Sequence, residues 1–444
     1  MNEDRYVAAI EISSSKIIAV VGKIRPSREL DIIACEQEKG VESVRYGVIQ
    51  NLEETSLRLQ RVIDKLQHRP GVTPRIIKSV FVGLSGRSLR TISTTVSRNL
   101  PEETEITDEI LASLRADALS TAIDSSLEVI DAIPRTFTVG KTETSSPKGA
   151  LGNRISAVYD LIVCRPEMKR NLMRVLSDKL HLKINGAIVT ALSTSQLILT
   201  PEEKRLGCML VDMGAETTTV TIFKGGHLKY FATLPLGGRN ITRDITSISI
   251  LEERAEDLKK SSADAIARDS ASGLNFNGIN MSDISNLVVA RSEEIVANII
   301  EQISYANLTE KDLPGGIICI GGGSQLRGMI ELISNQSGML VRKGQLPNYV
   351  HIDDPNISAF DIIEVASVLY TGATNTDAQC LEMPQHQELP VTGTANPEPE
   401  PKGLQEKEYT EDKKRKKNGF FSKFGRTITD FFAPDGEDDN DLMD

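Results

Sequence analysis

The sequence predicts an α/β protein with two related lobes, because a strand–turn–strand pattern occurs twice, about 200 residues apart. The first copy reads YVAAIEI, then SSSK, then IIAVVGKI, starting at residue 6. The second copy reads CMLVDMGAETTTVTIF from residue 208, and Asp212 lies near the end of its first strand. A duplication of this kind predicts a ligand cleft between the lobes.

The remaining elements follow in chain order. A polar helix is expected near 51–68, and RIIKSVFVGLSG predicts a strand that ends in a turn. Residues 85–165 have a different texture, with a helix starting at Thr107 and the strands VIDAIPRTFTVG and ISAVYDLIVC, which predicts an inserted α+β unit. Residues 239–312 are mostly helical and polar, and IICIGGGSQLRGMIELI predicts a buried strand, a glycine turn and a helix.

Composition excludes several classes of protein. The chain has 444 residues and a net charge of −11, all of it carried by residues 1–412, so nucleic acid is not an expected partner. The sequence contains no run of 18 apolar residues, so no transmembrane helix is predicted. The charged N-terminal sequence predicts no secretory signal. Five scattered cysteines without CxxC spacing favour a reducing cytoplasm over disulfides or a zinc site.

The C-terminal region predicts a tethered amphipathic helix. Residues 374–412 are rich in proline and polar side chains, as in an extended linker. Residues 413–433 are basic, with a net charge of +6 from Lys413 to Phe432, and an acidic tail follows over 434–444. On a helix, six apolar side chains fall within an arc of about 120°, and Lys423 and Arg426 lie on the remaining polar surface. The six are Phe420, Phe421, Phe424, Ile428, Phe431 and Phe432. This favours a membrane-surface anchor. Docking on the protein's own core and a nuclear signal are the alternatives.

The two turns predict a phosphate site. Turns of small residues direct backbone N–H groups and hydroxyls toward one point. Glu11 and Asp212 are candidates to hold Mg²⁺ through water, and Lys16 to neutralise a phosphate. Gly321, Gly322 and Gly323 allow a ligand to approach the backbone closely. Each feature alone is also typical of an ordinary turn, cap or loop; their order and separation favour the combined interpretation.

These motifs resemble those of the actin/Hsp70/hexokinase-type ATPases and, within them, the FtsA family of bacterial cell-division proteins. The family's first phosphate motif, D-I-G-T/S-x-K, corresponds to residues 11–16, and its second, D-I-G-G-G-T-T-D, to residues 212–219. The adenosine motif G-G-G-x-x-L-x-G matches residues 321–328, and A-E-x-L-K matches residues 255–259. VFVGLSGRSLRT, IPRTFTVG, LTPEEKRLGCMLVD and LPLGGRNITRDI are more specific to FtsA.

The resemblance implies an actin/Hsp70-like ATPase fold with an FtsA-type inserted subdomain, binding ATP and Mg²⁺. The implied nucleotide-binding residues are Ser13, Ser14, Ser15, Lys16, Gly214, Thr217, Thr218, Gly238, Glu256, Lys259, Gly321, Gly322, Gly323 and Ser324. Glu256 and Lys259 have the i, i+3 spacing that places both on one helix face, as contacts with the ribose and base require. The expected domains are lobe 1 (1–84, 166–195 and 351–373), the insertion (85–165), the core of lobe 2 (196–238 and 316–350) and its helical subdomain (239–315).

The chain departs from the family motifs at the phosphate end. Glu11 replaces an Asp, Ser13 a Gly, and Ala215 and Glu216 two glycines; Glu216 is expected to repel phosphates unless it turns toward Mg²⁺. Thr190 stands where related ATPases orient the attacking water with Gln or Glu. Slow or absent hydrolysis is therefore expected. An active ATP hydrolase or phosphotransferase is the alternative, and a pilus-assembly adaptor is disfavoured by the Phe-rich tail.

The resemblance also implies partners. They are the C-terminal peptide of FtsZ, bound by the helical subdomain, other proteins of the division machinery, further copies of the chain in a filament, and an anionic membrane surface. The implied location is the cytoplasmic face of the inner membrane at the division site.

Overall fold

A computed structural model describes residues 4–267, 275–276 and 279–384. The predicted anchor helix with its six apolar residues and the acidic tail lie outside these ranges, as does most of the predicted linker. None of the helices in the described ranges is both long and apolar enough to span a bilayer.

Lobe 1 begins with an antiparallel hairpin and a covering helix. Asn51 caps the helix by accepting a hydrogen bond from the Glu54 amide, and one face, including Leu59, Val62 and Leu66, is buried against the sheet. The elements are β1 (Arg5–Ile12), β2 (Lys16–Ile24), β3 (Leu30–Lys39), β4 (Val44–Arg45), β5 (Val48–Ile49), α1 (Leu52–Gln67), β6 (Ile76–Ile77) and β7 (Ser79–Leu84).

The insertion forms a small α+β unit with its own core. Ile106, Leu114 and Tyr159 are completely or almost completely buried between its helix and sheet. Its elements are β8 (Arg90–Glu105), α2 (Asp108–Leu119), β9 (Glu128–Val139), β10 (Thr142–Thr144) and β11 (Leu151–Cys164). The sequence predicts no strand at β8, because its segment is polar and Thr-rich; pairing along most of β11 orders it.

The chain then returns to lobe 1 before it builds lobe 2. The next elements are α3 (Pro166–Met173), a π-helical turn (Arg174–Lys179), β12 (Lys183–Val189), α4 (Thr190–Ile198), α5 (Pro201–Leu206), β13 (Cys208–Met213), β14 (Thr218–Lys224) and β15 (His227–Leu234). Lobe 2 continues with α6 (Gly238–Thr246), α7 (Glu252–Ser261), β16 (Asn275–Phe276), β17 (Ile279–Asn280), α8 (Met281–Tyr305), β18 (Ile317–Ile320), α9 (Met329–Ser337) and β19 (Val341–Lys343). The last elements are β20 (Val350–Ile352), α10 (Ile363–Asn375) and β21 (Leu381–Glu382).

The predicted duplication is confirmed by the topology of the two lobes. Lobe 1 contains the sheet β12-β7-β1-β2-β3-β20, and lobe 2 contains the strand order β19-β18-β13-β14-β15. In lobe 1, β1 pairs antiparallel with β2 and parallel with β7. In lobe 2, β13 pairs in the same senses with β14 and β18. The two hairpins therefore occupy equivalent places in their sheets.

The sheet of the insertion joins that of lobe 2. Strands β10-β9-β11-β8 continue into β15-β14-β13-β18-β19. The register between β15 and β8 is a single pair, Ala232 with Arg90. The predicted inserted subdomain is thus confirmed, and its sheet is continuous with that of lobe 2.

The first residues of the predicted linker 374–412 are part of the folded body. Helix α10 runs to Asn375, and β21 pairs antiparallel with β6. Cys380 and Leu381 are buried, and the Cys380 amide donates to the Tyr6 carbonyl at 2.8 Å. The polar composition of 374–380 concealed this short strand, which only its partner in lobe 1 orders.

Gly372 lets α10 pack closely against β7. A Cβ atom at this position would lie 2.4 Å from the Phe81 ring, which is fully buried. We expect Gly372→Ala to lower the free energy of unfolding by about 1–3 kcal/mol, because the overlap outweighs the better helix propensity of alanine. Urea denaturation measures this, with Gly322→Ala, whose Cβ meets nothing within 4 Å, as the control. Equal stability of Gly372→Ala and the parent chain would contradict the packing argument.

Candidate functional site

The turns that close the two hairpins have the same hydrogen-bond pattern. In the first, the Ser13 amide and hydroxyl donate to the Lys16 carbonyl at 2.9 and 3.0 Å. In the second, the Gly214 amide donates to the Thr217 carbonyl at 2.8 Å. Ser14 lies at the tip of the first turn, and the carbonyl of Ser15 accepts from the Gly40 amide at 3.0 Å. The predicted phosphate-binding residues therefore lie on matching turns of the two lobes.

Three carboxylates and one lysine lie close together at the ends of the two hairpins, and we call this group the floor of the predicted cleft. Glu11 on β1 and Glu364 on α10 are buried, and Asp212 on β13 is partly buried. Burial raises the pKa of all three carboxyls; Glu364 raises the pKa of Glu11 and Asp212 further, and Lys16 opposes the increase. The Lys16 ammonium donates to the Asp361 carbonyl at 2.8 Å. When fully ionised the group carries a charge of −2, which a divalent cation would neutralise.

Two buried oxygen atoms on this floor have no hydrogen-bond partner within the described part of the protein. They are Glu11 Oε2 and Thr190 Oγ1. A Cβ atom at Gly83 would lie 2.7 Å from Thr190 Oγ1 and 3.7 Å from Glu11 Cγ, so the three residues occupy one small space. Unsatisfied buried polar atoms are rare in proteins and indicate a place for water or a ligand. No three His, Cys, Asp or Glu side chains of the described ranges are close enough to bind a metal ion directly.

The adenosine-end residues also converge. The Lys259 ammonium on α7 donates to the Gly238 carbonyl at 3.1 Å and to Glu256 at 2.6 Å. Thr242 also donates to Glu256, at 2.6 Å. A Cβ atom at Gly238 would lie 3.8 Å from the Gly323 Cα atom. Burial would raise the pKa of Glu256, but the Lys259 charge and hydrogen bonds outweigh it and lower the pKa to about 2.

The glycine turn after β18 allows a close approach of two backbones. Gly321 has a φ of 79°, and a Cβ there would lie 2.6 Å from both Asp212 Oδ1 and the Met213 carbonyl. A Cβ atom at Gly323 would lie 3.0 Å from Met213, whereas a Cβ atom at Gly322 would meet no atom within 4 Å. Only glycine fits at Gly321, and the open position at Gly322 is where a ligand can lie against the backbone.

Two predicted site hydroxyls are used by the protein's own backbone. Ser324 donates to the Gly321 carbonyl at 2.8 Å, and Thr218 donates to the Leu236 carbonyl at 2.8 Å. Both residues are fully buried. In this structure their hydroxyls hold the two loops in shape.

Glu216 does not turn toward the cleft floor. Its carboxylate accepts from Arg45 Nε at 2.8 Å and the Tyr46 amide at 2.7 Å, and from Arg239 and Arg243 at 3.2 and 3.0 Å. The expectation that Glu216 repels phosphates unless Mg²⁺ intervenes omitted these arginines. Sequence reasoning also missed Glu364. Arg239 follows Gly238 directly, which was an available signal, but the remote Arg45 and Glu364 gave none.

With this geometry in view, the comparisons with known proteins give the family. The family model described as "SHS2 domain inserted in FTSA" matches residues 86–163, and that of "Cell division protein FtsA" matches residues 209–360. The chain belongs to the FtsA family. FtsA of Bacillus subtilis is 28% identical over 368 residues, covering 80% of this chain and 82% of that protein. FtsA of Porphyromonas gingivalis is 28% identical over 329 residues, covering 72% and 68%. FtsA of Escherichia coli K12 is 25% identical over 372 residues, covering 79% and 86%.

The solved structures agree with an actin-like fold for this FtsA-family chain. The PilM–PilN type IV pilus biogenesis complex superposes with a TM-score of 0.55 at 16% identity, covering 82% of this chain and 96% of that chain. At this identity the likeness concerns the fold alone. The predicted actin-like architecture with an FtsA-type insertion is confirmed.

The pairing of Glu256 with Lys259 makes stability depend on pH. The folded-state pKa of Glu256 is about 2, below the usual 4.5, so the stabilisation is complete above pH 4.5 and declines as pH falls toward 2. We expect Glu256→Gln to lower the free energy of unfolding by about 1 kcal/mol at pH 7, since a third of the side chain is exposed. Urea titrations should show that the difference in free energy of unfolding between the parent chain and Glu256→Gln becomes smaller from pH 5 to pH 3. A gap that is constant over this range would refute the assignment.

Proposed function

We propose that this FtsA-family protein binds ATP with Mg²⁺ between its lobes, polymerises, and attaches the FtsZ ring to the inner membrane through residues 413–433. The observation that carries the nucleotide proposal is the convergence of separate motifs on one cleft. Two matching turns of small residues, a buried carboxylate–lysine floor and a glycine turn belong to segments that are far apart in the sequence. Packing of the hydrophobic core does not require this combination. A nucleoside triphosphate bound with Mg²⁺ would use each part: the turns for its phosphates, the floor for the ion and the glycine turn for the adenosine.

Mg²⁺ fits the floor through water. Glu11 Oε2 is buried without a partner, and Asp212 contributes the carboxylate of the second lobe. Glu11 and Asp212 would orient water molecules around the ion rather than enclose it. The positive charge of the ion would favour the ionised form of these carboxyls.

The nucleotide is proposed to act mainly as a structural ligand. Thr190, at the start of α4, offers a hydroxyl but no carboxylate or amide to orient an attacking water. Binding that favours one arrangement of the lobes would then regulate assembly. An active hydrolase is the second candidate, and Glu364 favours it, since it brings a further carboxylate to the same floor.

The membrane and partner roles rest on family membership and on the C-terminal sequence. The basic, Phe-rich segment has the composition of a helix that lies in an anionic membrane surface. We assign the FtsZ peptide to the helical subdomain, here α6, α7 and α8, and place the protein at the division site with further copies in a filament. Other division proteins complete the set of partners.

Blocking the open position at Gly322 tests the nucleotide site. We expect Gly322→Trp to weaken ATP binding at least about tenfold, because the indole would fill the space beside the glycine backbone. Calorimetry with ATP and Mg²⁺ measures the affinity, and Gly322→Ala is the matched control that should bind nearly as the parent does. Unchanged affinity in Gly322→Trp would move the site elsewhere.

Charging the apolar face tests the anchor. We expect Phe421→Asp combined with Phe424→Asp to abolish co-sedimentation with anionic vesicles, because two carboxylates would face the acyl chains. Ser422→Asp combined with Thr429→Asp, on the polar face, is the control for added negative charge and should retain more binding. If the Phe double variant sediments like the parent, residues 413–433 are not the anchor.

A further inference from the structure

The buried carboxylate of Glu216 connects the two lobes beside the candidate phosphate turns. Glu216 belongs to the β13–β14 turn of lobe 2 and is 1% exposed. From lobe 1 it receives hydrogen bonds from Arg45 Nε and the Tyr46 amide, both in the β4–β5 hairpin. From lobe 2 it receives those of Arg239 and Arg243 on α6.

The first phosphate turn is tied into the same group. Arg239 uses a second nitrogen to donate to the Ser14 carbonyl at 3.0 Å. The Ser14 hydroxyl also interacts with Glu216 and accepts from the Gly47 amide at 3.4 Å. The two turns are therefore held together by the side chains of Glu216 and Arg239.

Electrostatics make this connection strong. Burial of Glu216 favours the neutral carboxyl, but the Tyr46 amide and the Arg239 and Arg45 charges outweigh burial and hold its pKa below the usual value. Three guanidinium groups around one carboxylate leave an excess of positive charge beside the turns. That excess suits a polyphosphate, so the group stabilises the arrangement that a nucleotide needs.

The departure from the family motif makes the connection possible. Ala215 and Glu216 stand where the motif has two glycines, which carry no side chain able to reach the other lobe. Glu216 extends far enough to meet the Tyr46 amide. Thus the substitution builds a contact between lobes at a position where the family motif has none.

We propose that Glu216 is a positioning residue that fastens the two phosphate turns together and thereby sets nucleotide affinity without contacting the nucleotide. This rests on the proposed function for its effect on affinity, whereas the fastening itself is independent of any ligand. Preorganisation of this kind raises affinity because less ordering remains for the binding step.

Hydrogen–deuterium exchange of the full chain without nucleotide tests the fastening. Glu216→Ala should speed exchange in the peptide containing the Tyr46 amide by at least about tenfold, because that amide loses its acceptor. Arg45→Ala, at a 44% exposed side chain, removes the second lobe 1 donor to Glu216 with less risk to folding, and should speed exchange in the same peptide to a smaller extent. Glu252→Ala is the matched control: its carboxylate lies 4.0 Å from Arg239 but is 63% exposed and does not join the lobes. Unchanged exchange in Arg45→Ala and Glu216→Ala overturns the proposal.

Calorimetry with ATP and Mg²⁺ tests the consequence for affinity. Arg45→Ala should weaken ATP binding by roughly tenfold when it is introduced into the parent chain. Introduced into Glu216→Ala, it should weaken binding no further, since both substitutions remove the same connection. The link to nucleotide affinity would be overturned if the two substitutions weakened ATP binding additively. It would also be overturned if they speeded exchange but left the ATP affinity unchanged. If the parent chain binds no ATP, the proposed function fails, and the exchange result alone decides whether Glu216 fastens the lobes.

Discussion

The structure of the cleft depends on a confined group of charges that the protein only partly balances. Glu11, Asp212 and Glu364 come from two lobes and a late helix, and Lys16 is the cation among them. Burial disfavours each ionised carboxyl, so the group gains stability when a proton or another cation joins it. Folding places these side chains together because the hairpins β1–β2 and β13–β14 occupy equivalent positions in duplicated sheets.

Close backbone contacts keep that arrangement in register. Gly83 leaves room for Thr190 beside Glu11, and Gly321 brings its strand against Asp212. Gly237 lies where a Cβ would be 2.6 Å from the Ala215 carbonyl. Side chains at these places would push apart the elements that carry the charged groups, so small residues at the cleft serve geometry rather than flexibility.

The lobes are joined by a shared apolar core as well as by polar contacts, since Leu210, Phe223 and Ile318 of lobe 2 belong to the same buried cluster as the core of lobe 1. The insertion joins the lobe 2 sheet through the register pair of Ala232 and Arg90. Glu216 and its arginines make a second connection near the phosphate turns. Because the Glu216 connection is polar and lies beside the turns, a ligand that adds interactions on both sides can change the balance between lobe arrangements.

The sequence by itself determined the duplicated strand–turn–strand units, the inserted subdomain and the segments that meet in the cleft, because these are recorded in local periodicity and contiguous motifs. It did not reveal β8, whose polar segment is ordered by β11, or β21, which depends on β6. It did not show that Glu364 joins Glu11, or that Arg45 reaches Glu216. Such pairs are separated by more than 150 residues, so they have no local signature. Only the tertiary structure decides them, since burial and charge compensation depend on which segments are packed against one another.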